Sequence, residues 1–205
     1  MRKAVLAGFV LLTFARFAPA QHLGELSADY SYLYYSPVEN NSALNLNGGG
    51  GAAVLYLAGF FGLKAEFQAY AGKDLNFNFP PGSVRCPLGC SGTAHANLFN
   101  VNVGPTIKIR IKRLQPFFEG LVGATHTDFY KNIAKNCNGC ISSAAPGDYA
   151  LDVLVGGGID FKITHHLAIR PIEADYFLTH FINDFTSGHN NQNSFRYQAG
   201  LLFEF

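Results

Sequence analysis

Four cysteines, Cys86, Cys90, Cys137 and Cys140, are spaced as two close pairs, CPLGC and CNGC. Four thiolates from two such pairs are one of the ligand sets that hold zinc. In an oxidising compartment the same sulfurs become disulfides instead, and an even count fits that outcome. The compartment therefore decides the chemistry, and the N-terminus indicates it. Arg2 and Lys3 precede an apolar run from Ala4 to Ala15 broken by Thr13, and Ala18-Pro19-Ala20 has the form of a cleavage site. Residues 1–20 read as a secretory signal peptide and residues 21–205 as one mature domain. The apolar run is too short for a helical membrane span. Export makes disulfides the expected state, with the pairing open: within each close pair, or between the two. A thioredoxin-like role for CNGC would need a βαβ setting, which the sequence lacks.

Ionisable side chains form the second constellation. Glu25, Asp29, Lys64, Glu66, Lys108, Arg110, Glu119, Asp152, Asp160, Arg170, Arg196 and Glu204 each alternate with apolar neighbours, opposite the greasy face of their segment. If that face is enclosed they must pair, since an isolated buried ion is strongly penalised. Histidines give less. His126 and Asp128 close one segment, while His180, Ser187 and His189 fall in one connection. Neither group completes a nucleophile–base–orienter set, so no catalytic residues are assigned. No cofactor or metal is expected. Removing residues 1–20 takes away Arg2, Lys3 and Arg16, leaving 12 basic residues against 14 acidic ones. That balance, without a clustered basic face, excludes a nucleic-acid partner.

The elements that position these groups are strands. Alternation predicts eight: Glu25 to Tyr35; about Asn47 to Ala58; the segment from Leu63 to Tyr70; Phe99 to Ile111; Pro116 to Tyr130; Leu151 to Lys162; His166 to Leu178; and a last strand from Phe195 to Phe205. The seventh breaks parity, because Arg170 cannot share a face with Glu173 and Asp175 unless a β-bulge sits at Pro171. Short links near residues 59–62, 112–115 and 164–165 alternate with long Gly/Asn/Ser/Pro-rich links at 36–46, 72–95, 131–148 and 179–193. One rim thus carries all the long loops, the habit of outer-membrane barrels. Tyr34, Tyr35, Phe60, Phe61, Phe117, Phe118, Tyr130, Tyr149, Tyr176 and Phe177 lie near strand ends, as interfacial aromatic girdles require.

The C-terminal residues Gln198, Gly200, Phe203 and Phe205 resemble the signal by which outer-membrane strands are handed to the barrel-assembly machinery. With Arg170 to Tyr176, Asn190 to Arg196 and Gly200 to Phe205, most of residues 22–205 resembles the OmpA-like outer-membrane β-barrel superfamily. The resemblance implies an all-β, eight-stranded antiparallel up-and-down transmembrane barrel in outer-membrane lipid. The peptidoglycan-binding domain of full-length relatives has no counterpart here, which argues against cell-wall tethering. Outer-membrane lipid A deacylases carry a late-strand His followed two residues on by Ser. Here Ile182 takes that place after His180, against this activity.

The expected role is non-enzymatic: a structural or surface-recognition barrel with disulfide-braced outer loops. A narrow ion path along the inward charges is the alternative, but a lumen this size is just wide enough for side chains to fill. A soluble ligand-binding barrel is disfavoured by the charged inner face, the absent Trp and the terminal Phe.

Overall fold

Period-two alternation with β-branched and aromatic residues on one face makes strands, and a strand in lipid needs every backbone group paired. Closing the sheet on itself meets that demand. The computed structural model describes residues 23–35, 44–72, 74–79, 81–82, 88–95, 97–128, 132, 149–180 and 191–205. Ten strands form: β1 (Gly24–Tyr35), β2 (Leu44–Ala58), β3 (Phe61–Ala71), β4 (Asp74–Phe79), β5 (Cys90–His95), β6 (Leu98–Lys108), β7 (Leu114–Thr127), β8 (Tyr149–Lys162), β9 (Leu167–His180) and β10 (Asn191–Glu204). Eight of them make a closed antiparallel barrel in the order β1-β10-β9-β8-β7-β6-β3-β2. The remaining two, β4 and β5, form a separate hairpin where the sequence predicts only a loop. Asp74 pairs with His95 and Phe79 with Cys90, so the hairpin prolongs β3 and β6 as an arm beyond the long-connection rim.

Barrel strands run from 11 residues in β3 to 15 in β2, enough to cross a bilayer core at a tilt. Apolar side chains stand outside. Val101, Val103, Val122, Val153 and Val155 form one wall of this surface, with Leu201, Phe203 and Phe205 at its lower edge. Among the described residues, no barrel strand turns an Asp, Glu, Lys or Arg outward. The inner face holds the buried charges, amides and hydroxyls. Such a molecule is inside-out relative to a water-soluble domain, as a lipid-bathed barrel must be.

The aromatic girdle is smaller than expected. Tyr34, Phe118 and Tyr176 face out, but their neighbours Tyr35, Phe117 and Phe177 are buried in the lumen. Adjacent strand residues point to opposite faces, so a doublet can place only one ring in the girdle. Tyr130 lies outside the described residues. Outward tyrosines near the long-connection rim are tied across strands to asparagines: Tyr30 donates to Asn47 at 2.6 Å, Tyr32 to Asn45 at 2.8 Å, and Tyr176 to Asn193.

Two local devices set the shape. The parity break falls at Pro171: Ile159 pairs with Ile172 but Phe161 with Ile169, and the shift recurs on the β10 side. Pro171 and Ile172 both point outward, so Arg170 and Glu173 both point in. The second device is Gly48-Gly49-Gly50-Gly51 in β2. A Cβ at Gly48 or Gly50 would strike a β3 carbonyl, and one at Gly51 a β1 carbonyl. Only glycine lets the neighbours approach β2 this closely from both sides. Its strand begins at Leu44, three residues before the predicted start, because Leu44 and Leu46 alternate with Asn45 and fill the upper lumen.

Candidate functional site in the lumen and on the raised arm

Most of the inward charges meet in one connected system. At the short-turn end Lys108 binds Glu25 at 2.5 Å and Asp160 at 2.7 Å, and Arg110 reaches Glu25 at 3.3 Å. Lys162 pairs with Glu204 at 2.6 Å. Asp160 passes the system to Arg170 at 2.7 Å, and Arg170 passes it to Glu173 at 2.7 Å. Around Lys64 stand Glu119, Glu66 and Glu173, at 2.8, 2.9 and 3.2 Å from its ammonium. Arg196 closes the upper part by binding Glu66, Asp175 at 2.9 Å, and Glu173 at 3.5 Å.

Two of the cations are held by ring packing as well as charge. The Arg170 guanidinium lies 4.2 Å from the centre of the Phe117 ring, and Arg110 lies 4.1 Å from that of Tyr56. The carboxylates of Glu66, Glu119 and Glu173 come within 4.8 Å of one another, close enough for a metal ion. Lys64 already fills that position with its own ammonium, so the trio is a site for the chain's own cation. Turned with its nitrogen toward the carboxylate, the Gln198 amide donates to Glu173 at 3.0 Å and accepts from Gln68 at 2.8 Å. Inward glycines make room for this bulk. A Cβ at Gly156 would collide with the Asp175 carboxylate, and one at Gly200 with that of Asp29.

Acids outnumber bases in this interior. Nine buried carboxylates, among the described residues, face four buried cations plus the partly buried Arg110 and Lys162. Hydrogen-bond donors hold those without a cation. Asp152 accepts from Asn102 and from Thr125 at 2.6 Å, and Asp29 accepts from Ser27 at 2.6 Å. Near the long-connection rim Leu33, Tyr35, Leu44, Leu46 and Leu98 are buried and make an apolar stopper above the ions.

The twelve lumen residues expected from the sequence all occupy the inner side, Arg110 less deeply than the rest. Glu173 and Asp175 were missing from that set although they carry ion pairs of the same system, and so was Lys162, which pairs with Glu204. The signal for Glu173 and Asp175 was the Pro171 parity break, which had to be carried through to the residues beyond it, whereas Lys162 simply shares the parity of Asp160 on its own strand. Of the C-terminal residues, Gln198 and Gly200 face the lumen while Phe203 and Phe205 face outward. The Phe205 carbonyl accepts from the Leu23 and Gly24 N–H groups at 2.7 and 3.1 Å, at the β1–β10 seam.

Two histidines stand on the outer wall. His126 lies on the outer wall between Phe99 and Tyr149, ring centres 4.7 and 4.5 Å away, with Asp128 at 3.6 Å. His180 binds Asn191 at 2.6 Å, also outside. Ser187 and His189 lie outside the described residues. So do Cys86, Cys137, Cys140 and the signal segment; Cys90 opens β5.

The arm has a polar face: Asp74 with His95 at 3.0 Å, Asn76 with Thr93 at 3.0 Å, and exposed Asn78 opposite Ser91. Its base is anchored where Asn132 donates to the His95 carbonyl at 2.8 Å and Asn97 accepts from the Gly72 N–H at 3.2 Å.

No family model matches the sequence, and no curated protein matches it. Solved structures do share the fold. Neisserial surface protein A is 11% identical, with a TM-score of 0.59, over 89% of this chain and 97% of that one. The outer membrane protein OprG from Pseudomonas aeruginosa is 11% identical, with a TM-score of 0.52, over 90% of this chain and 97% of that one. At that identity the likeness establishes the eight-stranded outer-membrane barrel fold and nothing finer.

Proposed function

We propose that this chain is an exported, non-enzymatic outer-membrane barrel whose work is done at its long-connection rim, in a structural or surface-recognition role. One observation carries the reading: a polar hairpin raised above a lumen filled by its own ion pairs. The filled interior supports an anchor over a vessel, since side chains of Lys64, Arg170 and Arg196 occupy the space a ligand would need. The arm supports recognition, because exposed loops on a rigid scaffold are where binding residues collect. Export through the N-terminal segment and insertion by the assembly machinery belong to the same reading. So does bracing of the outer loops by disulfides among Cys86, Cys90, Cys137 and Cys140, with Cys90 not a free thiol.

Fractionation tests location and topology together. Expressed protein is expected in the outer membrane, extractable only by detergent, with protease added to whole cells cutting within residues 81–89. Release by osmotic shock, or cleavage at the short turns instead, would refute it. A narrow ion path is the second reading, favoured by one observation: the ion pairs run unbroken from Arg110 to Asp175. Planar bilayers are expected to stay silent. Steady conductance abolished by Lys108→Ala or Glu119→Ala would replace the anchor with the pore.

A further inference from the structure

The short-turn rim carries exposed basic side chains. Lys112 and Arg113 lie in the turn between β6 and β7, and His165 and His166 in the turn between β8 and β9, all exposed. The two turns are neighbours, since β7 pairs with β8 and the Lys162 N–H donates to the Arg113 carbonyl at 2.8 Å. Among the described residues, no side-chain carboxylate is exposed on this rim. Of the 14 acids, nine are buried in the lumen, and Glu39, Asp74, Asp128, Asp148 and Asp184 fall in the sequence within the long links between barrel strands, not within the short turns. The third short turn, Gly59-Phe60, has no charge, so the basic patch is one-sided.

The greasy wall reaches up to this patch. Ile111, Leu114 and Ile163 are exposed beside the cations. His166 is fixed at the same edge, its Nδ1 2.9 Å from the Glu204 carbonyl oxygen and its ring 5.9 Å from that of Phe203. Cations interleaved with lipid-facing side chains at the end of a span stand at headgroup depth, where phosphates lie.

We infer that this double turn binds the phosphate of anionic phospholipid in the leaflet bordering the short-turn rim. Native mass spectrometry of the full barrel, refolded in detergent and offered equal phosphatidylglycerol and phosphatidylcholine, tests it. Retained adducts are expected to be phosphatidylglycerol, and the double variant K112Q/R113Q is expected to lower that affinity roughly thirtyfold, the sum for two surface cations. The variant must still show the unheated, faster gel band of a folded barrel, which separates lost binding from lost folding. Lys131→Gln with Lys135→Gln, in the β7–β8 connection of the opposite rim, is expected to leave the preference intact. Equal retention of both lipids by the unsubstituted chain, or a preference surviving K112Q/R113Q, would overturn the inference. So would capture of a polyglutamate peptide through Lys112 and Arg113 without lipid preference, which would assign the patch to an acidic protein.

Discussion

Lys64 is central to the interior, because its one ammonium bridges three carboxylates, two of which it shares with Arg170 and Arg196. Deleting one partner of a buried ion pair leaves the other uncompensated, at about 3–5 kcal/mol. Lys64→Met is therefore expected to lower the unfolding free energy of the barrel in vesicles by that order, seen as a lower urea midpoint. An unchanged midpoint would mean the carboxylates are solvated and the lumen wet. At this scale the sequence was legible in kind but not in pairing. Alternation marked Lys64 and Glu119 as inward, yet nothing local in either strand says that residues 55 apart should touch. Glu173 and Asp175 were legible only to a reader who carried the shift at Pro171 forward.

Each strand has two faces with opposite demands, and substitutions should read them out separately. Gly156 faces the Asp175 carboxylate, whereas a Cβ at Gly120 meets nothing within 4 Å. Gly156→Ala is expected to cost about 1–3 kcal/mol through overpacking, and Gly120→Ala close to nothing, by equilibrium unfolding. On the outer wall, Val122→Arg lies in mid-strand and should cost about 2–4 kcal/mol, against about 0–1 for Leu114→Arg at the rim. Equal costs at both depths would place the wall in water. The arm was the element the sequence hid. Asp74 to Phe79 alternates Asn with Phe and reads as strand, but it lies within a Gly/Pro-rich stretch whose composition reads as loop. Pairing with β5 decided the matter, and that partner is remote from it along the chain.

Across the whole molecule, closure unites these elements. With β1 sealed to β10 no strand edge of the barrel is left to recruit another chain, and every barrel strand is paired on both sides. Such a barrel is expected to migrate faster on gels before heating than after; identical migration would argue for an open sheet. The sequence by itself determined the strands, their inner and outer faces, the sorting of long and short connections, and the residue where parity breaks. These follow from a period of two and from turn chemistry, both properties of neighbours along the chain. Tertiary structure alone decided which charges meet and how the basic turns come side by side. Those depend on register around the closed barrel, which brings Arg196 to Glu66 across 130 residues of chain.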